Sequence, residues 1–181
     1  MFQDLLGKKI TGRIYQSFFL YPKLKKTISG KLIDIGAGLG DFCVSYQNAS
    51  AVDINKYAVK HCQQRSIEAK RIINNKISYE NNTFDSAIMD NVLEHILDPD
   101  PLLSEVRRIL KIRGRLIVGV PGIKGYKSDF DHKVFYSDKE LIDLLHRHGF
   151  KFIKKFYTPF ESKFLDKYSK IYCLYITFEK K

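Results

Sequence analysis

A glycine-rich turn directly after a short apolar run is the feature that most constrains the fold of this chain. The run Leu32-Ile33-Asp34-Ile35 leads into Gly36-Ala37-Gly38-Leu39-Gly40. A short apolar run bounded by turn residues is typical of a strand buried on both faces of a sheet. Glycines at its end permit a tight turn and a close approach of the backbone to a ligand. The segment therefore predicts a strand, a ligand-binding loop and a helix, in that order.

Strand and helix patterns alternate along the rest of the chain. Residues up to Lys26 are predicted to be helical. Capping signals predict three more helices, from Asn55 through about Arg65, over Leu102–Ile112 and over Asp138–His148. The second of these follows Asp100-Pro101 and is closed by Gly114, and the third begins with a Ser137/Glu140 capping box. The predicted strands are Lys31–Asp34, Ala51–Ile54, Ser86–Met89, Arg115–Val120, Phe150–Tyr157 and Ile171–Glu179. This order indicates an open, mostly parallel sheet with helices on both faces and an antiparallel pair of strands at the end.

Size and composition favour one soluble domain of 181 residues. No apolar run approaches the roughly 20 residues of a membrane-spanning helix, and we expect a cytoplasmic protein. The three cysteines are widely spaced and form no metal-ligand pattern, so we predict no metal site. The net charge of +11 comes from the two ends: residues 1–31 hold seven Lys and Arg against one acid, and residues 151–181 hold eight against three. These ends either aid solubility or meet a phosphorylated substrate, nucleic acid or a membrane surface.

The spacing of the glycines argues against a dinucleotide-binding loop. Gly36, Gly38 and Gly40 form G-x-G-x-G, whereas the third glycine of a dinucleotide loop would fall on Asp41. Asp53 lies 17 residues after Gly36 at the end of the second predicted strand, where a carboxylate can accept both hydroxyl hydrogens of a ribose. The combination predicts a nucleoside ligand.

Residues 30–150 resemble the class I S-adenosylmethionine-dependent methyltransferases, in particular their small-molecule branch. The resemblance rests on the glycine loop with Val52-Asp53 and on two further segments. These are Phe84-Asp85-Ser86-Ala87-Ile88-Met89-Asp90-Asn91-Val92-Leu93-Glu94-His95, and Leu102-Leu103-Ser104-Glu105-Val106-Arg107-Arg108-Ile109-Leu110-Lys111 with Gly114-Arg115-Leu116-Ile117-Val118. The resemblance implies a Rossmann-like, seven-stranded α/β fold and S-adenosylmethionine as the cofactor.

The resemblance also implies roles for particular residues. In similar enzymes the glycine loop holds the methionine end of the cofactor and the acid of the second strand holds the ribose. The cofactor-binding residues would then be Asp34, Gly36, Ala37, Gly38, Asp53, Ile54, Asp90 and Asn91. Similar enzymes often place an acid in the segment that precedes Phe84 to contact the adenine amine. This chain has only asparagines there, and Asn74 is the predicted substitute.

Few catalytic side chains are needed, because the cofactor is already activated and the protein mainly aligns the reactants. If the acceptor is a hydroxyl, a histidine can take its proton. His95, which matches the family's Glu-His pair, and His132, in a polar loop after the predicted strand Arg115–Val120, are the candidates. Asp131 would either orient the His132 imidazole or balance the local charge. The competing role of each histidine is structural.

The acceptor is predicted to be a small molecule, such as a sugar or a glycan or lipid precursor, enclosed by residues 1–26, 121–137 and 157–168. The motif with which similar enzymes grip a planar amino group, Asn/Asp-Pro-Pro-Tyr/Phe, is absent. Two alternatives remain: a non-catalytic cofactor-binding subunit of another enzyme, or an RNA methyltransferase. The latter would use the basic ends with stacking residues among Tyr15, Phe18, Phe19, Tyr21 and Tyr157. We divide the single domain into a helical cap (1–30), a cofactor-binding half (31–120) and a substrate-side half (121–181).

Overall fold

Seven strands form one sheet in the computed structural model, which describes residues 15–161 and 167–181. The strands are β1 (Leu32–Ile35), β2 (Ala49–Asp53), β3 (Glu68–Arg71), β4 (Phe84–Asp90), β5 (Leu110–Pro121), β6 (Phe150–Thr158) and β7 (Cys173–Lys180). Their spatial order is β3-β2-β1-β4-β5-β7-β6, and β7 runs antiparallel to both of its neighbours. The predicted fold class is therefore confirmed, including the antiparallel pair at the end.

Six α-helices accompany the sheet in this part of the chain. They are α1 (Tyr21–Lys25), α2 (Asp41–Ser45), α3 (Lys56–Gln64), α4 (Asp100–Ile109), α5 (Ile123–Tyr126) and α6 (Asp138–Arg147). A π-helical turn, Gln16–Leu20, precedes α1, and a 3-10 turn, Leu93–His95, follows β4. Within these described segments, no helix has both the length and the apolar content that a membrane crossing requires.

Successive residues of the central strands point to opposite faces of the sheet, and helices cover both faces. Ile33 and Ile35 pack in the larger core, to which α4 and α6 contribute their leucines. Leu32 and Ile88 pack on the other face against Leu24 of α1 and Phe42 of α2. Both faces of β1 are thus buried, as its uninterrupted apolar sequence predicts.

The predicted helix over Leu102–Ile112 is wrong at its carboxyl end. α4 ends at Ile109, and Leu110 is already extended and paired with Phe84 in the sheet. The left-handed residue in this segment is Arg113, with a φ of 64°, rather than Gly114. The sequence Lys111-Ile112-Arg113 is compatible with a helix, which is why the prediction extended α4 too far. Sheet pairing and the complete burial of Leu110 override this local helix propensity.

The predicted strand Arg115–Val120 is longer in the structure, because β5 begins five residues earlier, at Leu110. The other predicted strands and the helices α3 and α6 are present with bounds that shift by at most two residues. α3 begins after Asn55, whose side chain accepts the Tyr57 backbone N–H, and α6 begins with the predicted capping box. β3 is the strand that the patterns did not locate. The predicted N-terminal helix is confirmed over residues 15–25, and residues 1–14 lie outside the described ranges.

Candidate functional site

The strand order reverses at β1, whose neighbours are β2 on one side and β4 on the other. In open α/β sheets, ligands bind in the crevice at the carboxyl ends of the strands at such a point. A cavity of about 460 Å³ lies there. Its lining comprises Gln16, Tyr21, Asp34, Gly36, Ala37, Gly38, Leu39, Asp41, Phe42, Ile88, Asp90, Asn91, His95, Asp129 and His132. Eight predicted site residues are brought together here: Asp34, Gly36, Ala37, Gly38, Asp90, Asn91, His95 and His132.

The glycine turn forms one wall of the cavity. The backbone N–H groups of Gly36 and Ala37 both donate to the Val52 carbonyl oxygen, at 2.8 and 3.2 Å. Gly36 has a φ of 74°, and a Cβ atom at this position would lie 2.6 Å from Cγ2 of Val92. Glycine is therefore required at Gly36 both by the backbone conformation and by the space available.

Asp53 ties the end of β2 to this turn. Its Oδ2 accepts the Gly38 backbone N–H at 2.9 Å, and its Oδ1 accepts the Asn55 N–H at 2.8 Å. Asp53 and Ile54 adjoin the glycine loop but are not in the cavity lining, and Ile54 is exposed. A carboxylate has about four acceptor positions, so Asp53 keeps capacity for a ligand's hydroxyl groups.

Asp90 and Asn91 follow β4 on the other side of the reversal. Asp90 Oδ1 accepts hydrogen bonds from the Tyr175 hydroxyl at 2.8 Å and from the Asn91 amide at 3.0 Å. Tyr175 is buried, and burial together with the nearby Asp90 charge raises its pKa well above the ordinary value. Tyr175 therefore stays protonated and fixes the orientation of the Asp90 carboxylate.

The loop after β5 reaches the turn after β4 through the backbone. The N–H groups of Lys133 and Val134 both donate to the Glu94 carbonyl oxygen, at 2.7 and 3.1 Å. This pairing brings the rings of His95 and His132 to a centroid separation of 4.8 Å. Two residues that are 37 positions apart in the sequence thus share one end of the cavity.

Hydrogen bonds to backbone carbonyls orient both imidazoles. His132 Nδ1 lies 2.9 Å from the Tyr126 carbonyl oxygen, and His95 Nδ1 lies 3.2 Å from that of Asp131. The Asp131 carboxylate also faces His95, with Oδ2 3.4 Å from Nδ1. Asp131 was expected either to orient His132 or to balance the local charge, and its carboxylate contacts the other histidine, His95.

Glu94 is the most deeply buried acid at this end of the cavity. Its side chain is 1% exposed, and neither carboxylate oxygen has a hydrogen-bond partner in the part of the chain that the structure describes. Burial, reinforced by the charges of Asp90 and Asp129, raises the pKa of Glu94 to about 8. Burial of an acid was not foreseen, because a Glu-His dipeptide carries no signal of burial.

Asn74 lies away from this arrangement. It occupies a short turn between Ile73 and Lys76, is exposed, and has a φ of 50°. Asparagine is one of the residues that tolerate this left-handed conformation, which gives Asn74 a local structural role. It does not line the cavity.

Carboxylates dominate the charge of the cavity. Asp34, Asp41, Asp90 and Asp129 line it, and no Lys or Arg is among the lining residues in residues 15–161 and 167–181. Asp41 pairs with Arg65, whose Nη1 lies 2.7 Å from Asp41 Oδ1. Such a lining favours a ligand with positive charge and disfavours a pyrophosphate. The sequence patterns did not assign two lining acids, Asp41 and Asp129, or the apolar wall of Tyr21, Phe42 and Ile88 to the cavity. A signal was available for Asp41, because it occupies the position where a dinucleotide loop has its third glycine.

Comparisons with known proteins agree with this geometry. A family model described as a methyltransferase domain matches residues 33–118. An uncharacterised protein of Methanocaldococcus jannaschii is 31% identical over 160 residues, which cover 82% of this chain and 77% of the relative.

Two solved structures share the fold at low identity. An S-adenosylmethionine-dependent methyltransferase from Thermotoga maritima superposes with a TM-score of 0.77 at 21% identity, covering 99% of this chain and 98% of that one. A protein from Haloferax volcanii, described as a methyltransferase and solved in complex with the Trm112 methyltransferase activator, gives a TM-score of 0.72 at 12% identity, with 91% of each chain covered.

Proposed function

Because the chain belongs to the class I S-adenosylmethionine-dependent methyltransferase family, we propose that this enzyme methylates a hydroxyl oxygen of a small molecule. S-adenosylmethionine is its cofactor. The observation that carries the proposal is the carboxylate-lined cavity at the reversal of strand order, with two histidines at one end. The acceptor class, such as a sugar or a glycan or lipid precursor, follows from the family resemblance.

The residues around the cavity fit this cofactor. S-adenosylmethionine carries a positive sulfonium and a positive ammonium group, and four lining carboxylates can compensate those charges. Asp34 with the turn at Gly36, Ala37 and Gly38 would hold the methionine end. Asp53 would hold the ribose, with Ile54 on the adenine side and Asp90 and Asn91 beside the sulfonium. When bound, the cofactor supplies an electrophilic methyl group for in-line displacement.

The residues at the other end of the cavity would act on the acceptor. A hydroxyl that attacks the methyl carbon must lose its proton, and an imidazole with a free ring nitrogen can receive it. His95 and His132 are held through Nδ1 by backbone carbonyls, which leaves Nε2 of each ring as the acceptor atom. We infer that His95 and His132 act on the acceptor hydroxyl.

The same arrangement supports the proposed division of the single domain into a cap, a cofactor-binding half and a substrate-side half. Residues 31–120 supply the proposed cofactor contacts, and residues 121–181 supply His132 and the loop after β5. Of the helical cap, residues 15–30 contribute Gln16 and Tyr21 to the cavity lining. Residues 1–14 and 162–166, which we expected to help enclose the acceptor, lie outside the described ranges.

Ligand binding followed by an acceptor screen tests the proposal. S-adenosylmethionine and S-adenosylhomocysteine should raise the melting temperature, and NAD should not. Transfer of labelled methyl from the cofactor to the small-molecule fraction of a cell extract, with release of S-adenosylhomocysteine, supports the function. Stabilisation by NAD alone would contradict it.

RNA methylation is the second candidate, favoured by the exposure of Phe18 and Phe19 beside the lysines of α1. Of the other predicted stacking residues, Tyr21 is buried, Tyr15 stacks on Phe19 and Tyr157 stacks on Tyr172. RNA binding that falls steeply with added salt would favour this candidate. Cofactor binding without methyl transfer to any acceptor would instead favour a partner subunit.

A further inference from the structure

Three side chains with metal-ligating atoms meet at the acceptor end of the cavity. Glu94 and His95 come from the turn after β4, and His132 comes from the loop after β5. One ligand atom from each lies within 4.8 Å of the other two. Zinc bonds of about 2.0–2.1 Å would bring such atoms to roughly 3–4 Å from one another, which small side-chain rotations can achieve.

The buried carboxylate of Glu94 is the first sign that this cluster binds a cation. Its side chain is 1% exposed, and neither oxygen has a hydrogen-bond partner within the described segments. Oε1 faces the cluster, 3.9 Å from His132 Nε2. A buried carboxylate without hydrogen bonds is destabilising, and buried charges in proteins are normally paired or coordinate a metal.

The orientation of the two imidazoles is the second, independent sign. A carbonyl oxygen only accepts, so the contacts of His132 Nδ1 with Tyr126 and of His95 Nδ1 with Asp131 assign the hydrogen to Nδ1 in both neutral rings. Nε2 of each ring then presents a lone pair. Metal-binding histidines almost always have this arrangement, with the second ring nitrogen donating to a carbonyl or carboxylate.

We propose that Glu94, His95 Nε2 and His132 Nε2 bind a divalent transition-metal ion of the zinc type. Two imidazoles with one carboxylate suit Zn²⁺ and its first-row neighbours, whereas Mg²⁺ and Ca²⁺ prefer oxygen ligands alone. Asp129, whose Oδ2 lies 3.9 Å from His132 Nε2, is 54% exposed and close enough to join as a further ligand. The separation of His132 from the Glu-His pair explains why the sequence predicted no metal site.

A catalytic role for the proposed metal ion rests on the proposed function. With the ion bound, the two histidines would act differently. An ion at this position would lower the pKa of an acceptor hydroxyl in the cavity, as zinc does for water. The hydroxyl proton would leave to solvent, and the acceptor oxygen would form the new bond to the methyl carbon. The electron pair of the broken carbon–sulfur bond would remain on sulfur. His95 and His132 would then be ligands instead of proton acceptors.

Zinc binding to the full chain tests the site without methyl donor or acceptor. Chelator-treated protein is titrated with Zn²⁺ by calorimetry, and the bound metal is counted by elemental analysis after dialysis. We expect one ion per chain and a raised melting temperature. Co²⁺ in place of Zn²⁺ should give ligand-field absorption without a thiolate charge-transfer band, which separates this site from the free cysteines.

Variants identify the ligands. Glu94→Gln and His132→Gln should each weaken zinc binding at least about tenfold. His146→Gln, at an exposed position outside the cluster, and Cys173→Ser should bind zinc as the wild type does. Circular dichroism checks folding, and His95→Gln, whose side chain is 33% exposed, replaces any variant that does not fold. Zinc that binds equally to the wild type and to the ligand variants, or no stoichiometric zinc at all, would overturn the proposal.

Cofactor binding measured in the same samples separates this inference from the proposed function. A protein that binds S-adenosylmethionine but not zinc overturns the metal site and leaves the histidines as bases. A protein that binds one zinc through Glu94 and His132 but no S-adenosylmethionine supports the metal site and overturns the proposed function.

Discussion

The Asp53 carboxylate accepts the backbone N–H of Gly38 at 2.9 Å, which fixes the end of β2 against the turn after β1. We therefore expect Asp53 to have two roles: it shapes the glycine loop, and it offers acceptor positions to the cofactor ribose. The substitutions Asp53→Ala and Asp53→Asn distinguish an Asp53 that binds the ribose from one that only supports the fold.

Asp53→Ala should weaken S-adenosylmethionine binding by about 1–3 kcal/mol, because the ribose hydrogen bonds and the anchor of Gly38 are lost. Asp53→Asn keeps one acceptor oxygen and should give a smaller loss. Calorimetric titration measures both, with Asp143→Ala, an exposed acid on α6, as the control. Unchanged affinity in Asp53→Ala would count against the assigned pocket.

Gly36→Ala should destabilise the fold by about 2 kcal/mol or more. The new Cβ would lie 2.6 Å from Val92 Cγ2, and alanine is strained at a φ of 74°. Adding Val92→Ala should recover the steric part of the loss and leave the conformational part. Gly122→Ala, at a φ of −70°, is the control for a glycine without that strain. Urea denaturation gives the free energies of unfolding, and equal stability of Gly36→Ala and the wild type would refute the close approach.

Tyr175→Phe removes the hydroxyl that orients Asp90. The bond is 2.8 Å long, buried and made to a carboxylate, so its loss should cost roughly 1.5–3 kcal/mol of stability. Cofactor affinity should also fall if Asp90 lies beside the sulfonium. Tyr46→Phe, which loses a hydroxyl that donates to the Gly30 carbonyl at 3.0 Å outside the cavity lining, should leave the dissociation constant unchanged. A Tyr175→Phe protein with wild-type stability and affinity would contradict the role given to this pair.

Glu105 makes stability depend on acid pH. Hydrogen bonds from Arg108, at 2.9 Å to each carboxylate oxygen, lower the pKa of Glu105 to about 2 from an ordinary 4.5, despite partial burial. A depressed folded-state pKa stabilises the protein above pH 4.5, and this contribution is lost as the pH falls toward 2.

Glu105→Gln should therefore lower the free energy of unfolding by up to about 3 kcal/mol near pH 7, since one pKa unit corresponds to about 1.4 kcal/mol. The difference from the wild type should shrink between pH 4.5 and 3. Urea titrations at a series of pH values measure it, with Glu140→Gln in the exposed capping box as a comparison. A difference that does not change with pH would show that the ion pair is not its source.

Local spacing explains what the sequence predicts well. The glycines at 36, 38 and 40 and the acid at 53 lie in one β1–α2–β2 unit, so short-range geometry fixes their proximity. Asp34 and Asp90 converge because they belong to neighbouring parallel strands, and carboxyl ends of such strands share one edge of the sheet. Capping residues likewise fix the start of α6 from four residues of sequence.

Long-range contacts explain the rest. The pairing of Lys133 and Val134 with the Glu94 carbonyl brings His132 to Glu94 across one strand and two helices, and no local pattern encodes it. At Leu110, pairing with Phe84 decides between helix and strand where the local sequence suits both.

A crystal structure with S-adenosylhomocysteine soaked into the protein tests the central claim most directly. We expect ligand density along the glycine turn, with the amino-acid end near Asp34, the sulfur near Asp90 and the ribose within hydrogen-bond distance of Asp53. Density at another place, or a cavity without ligand at a concentration that saturates related enzymes, would contradict it.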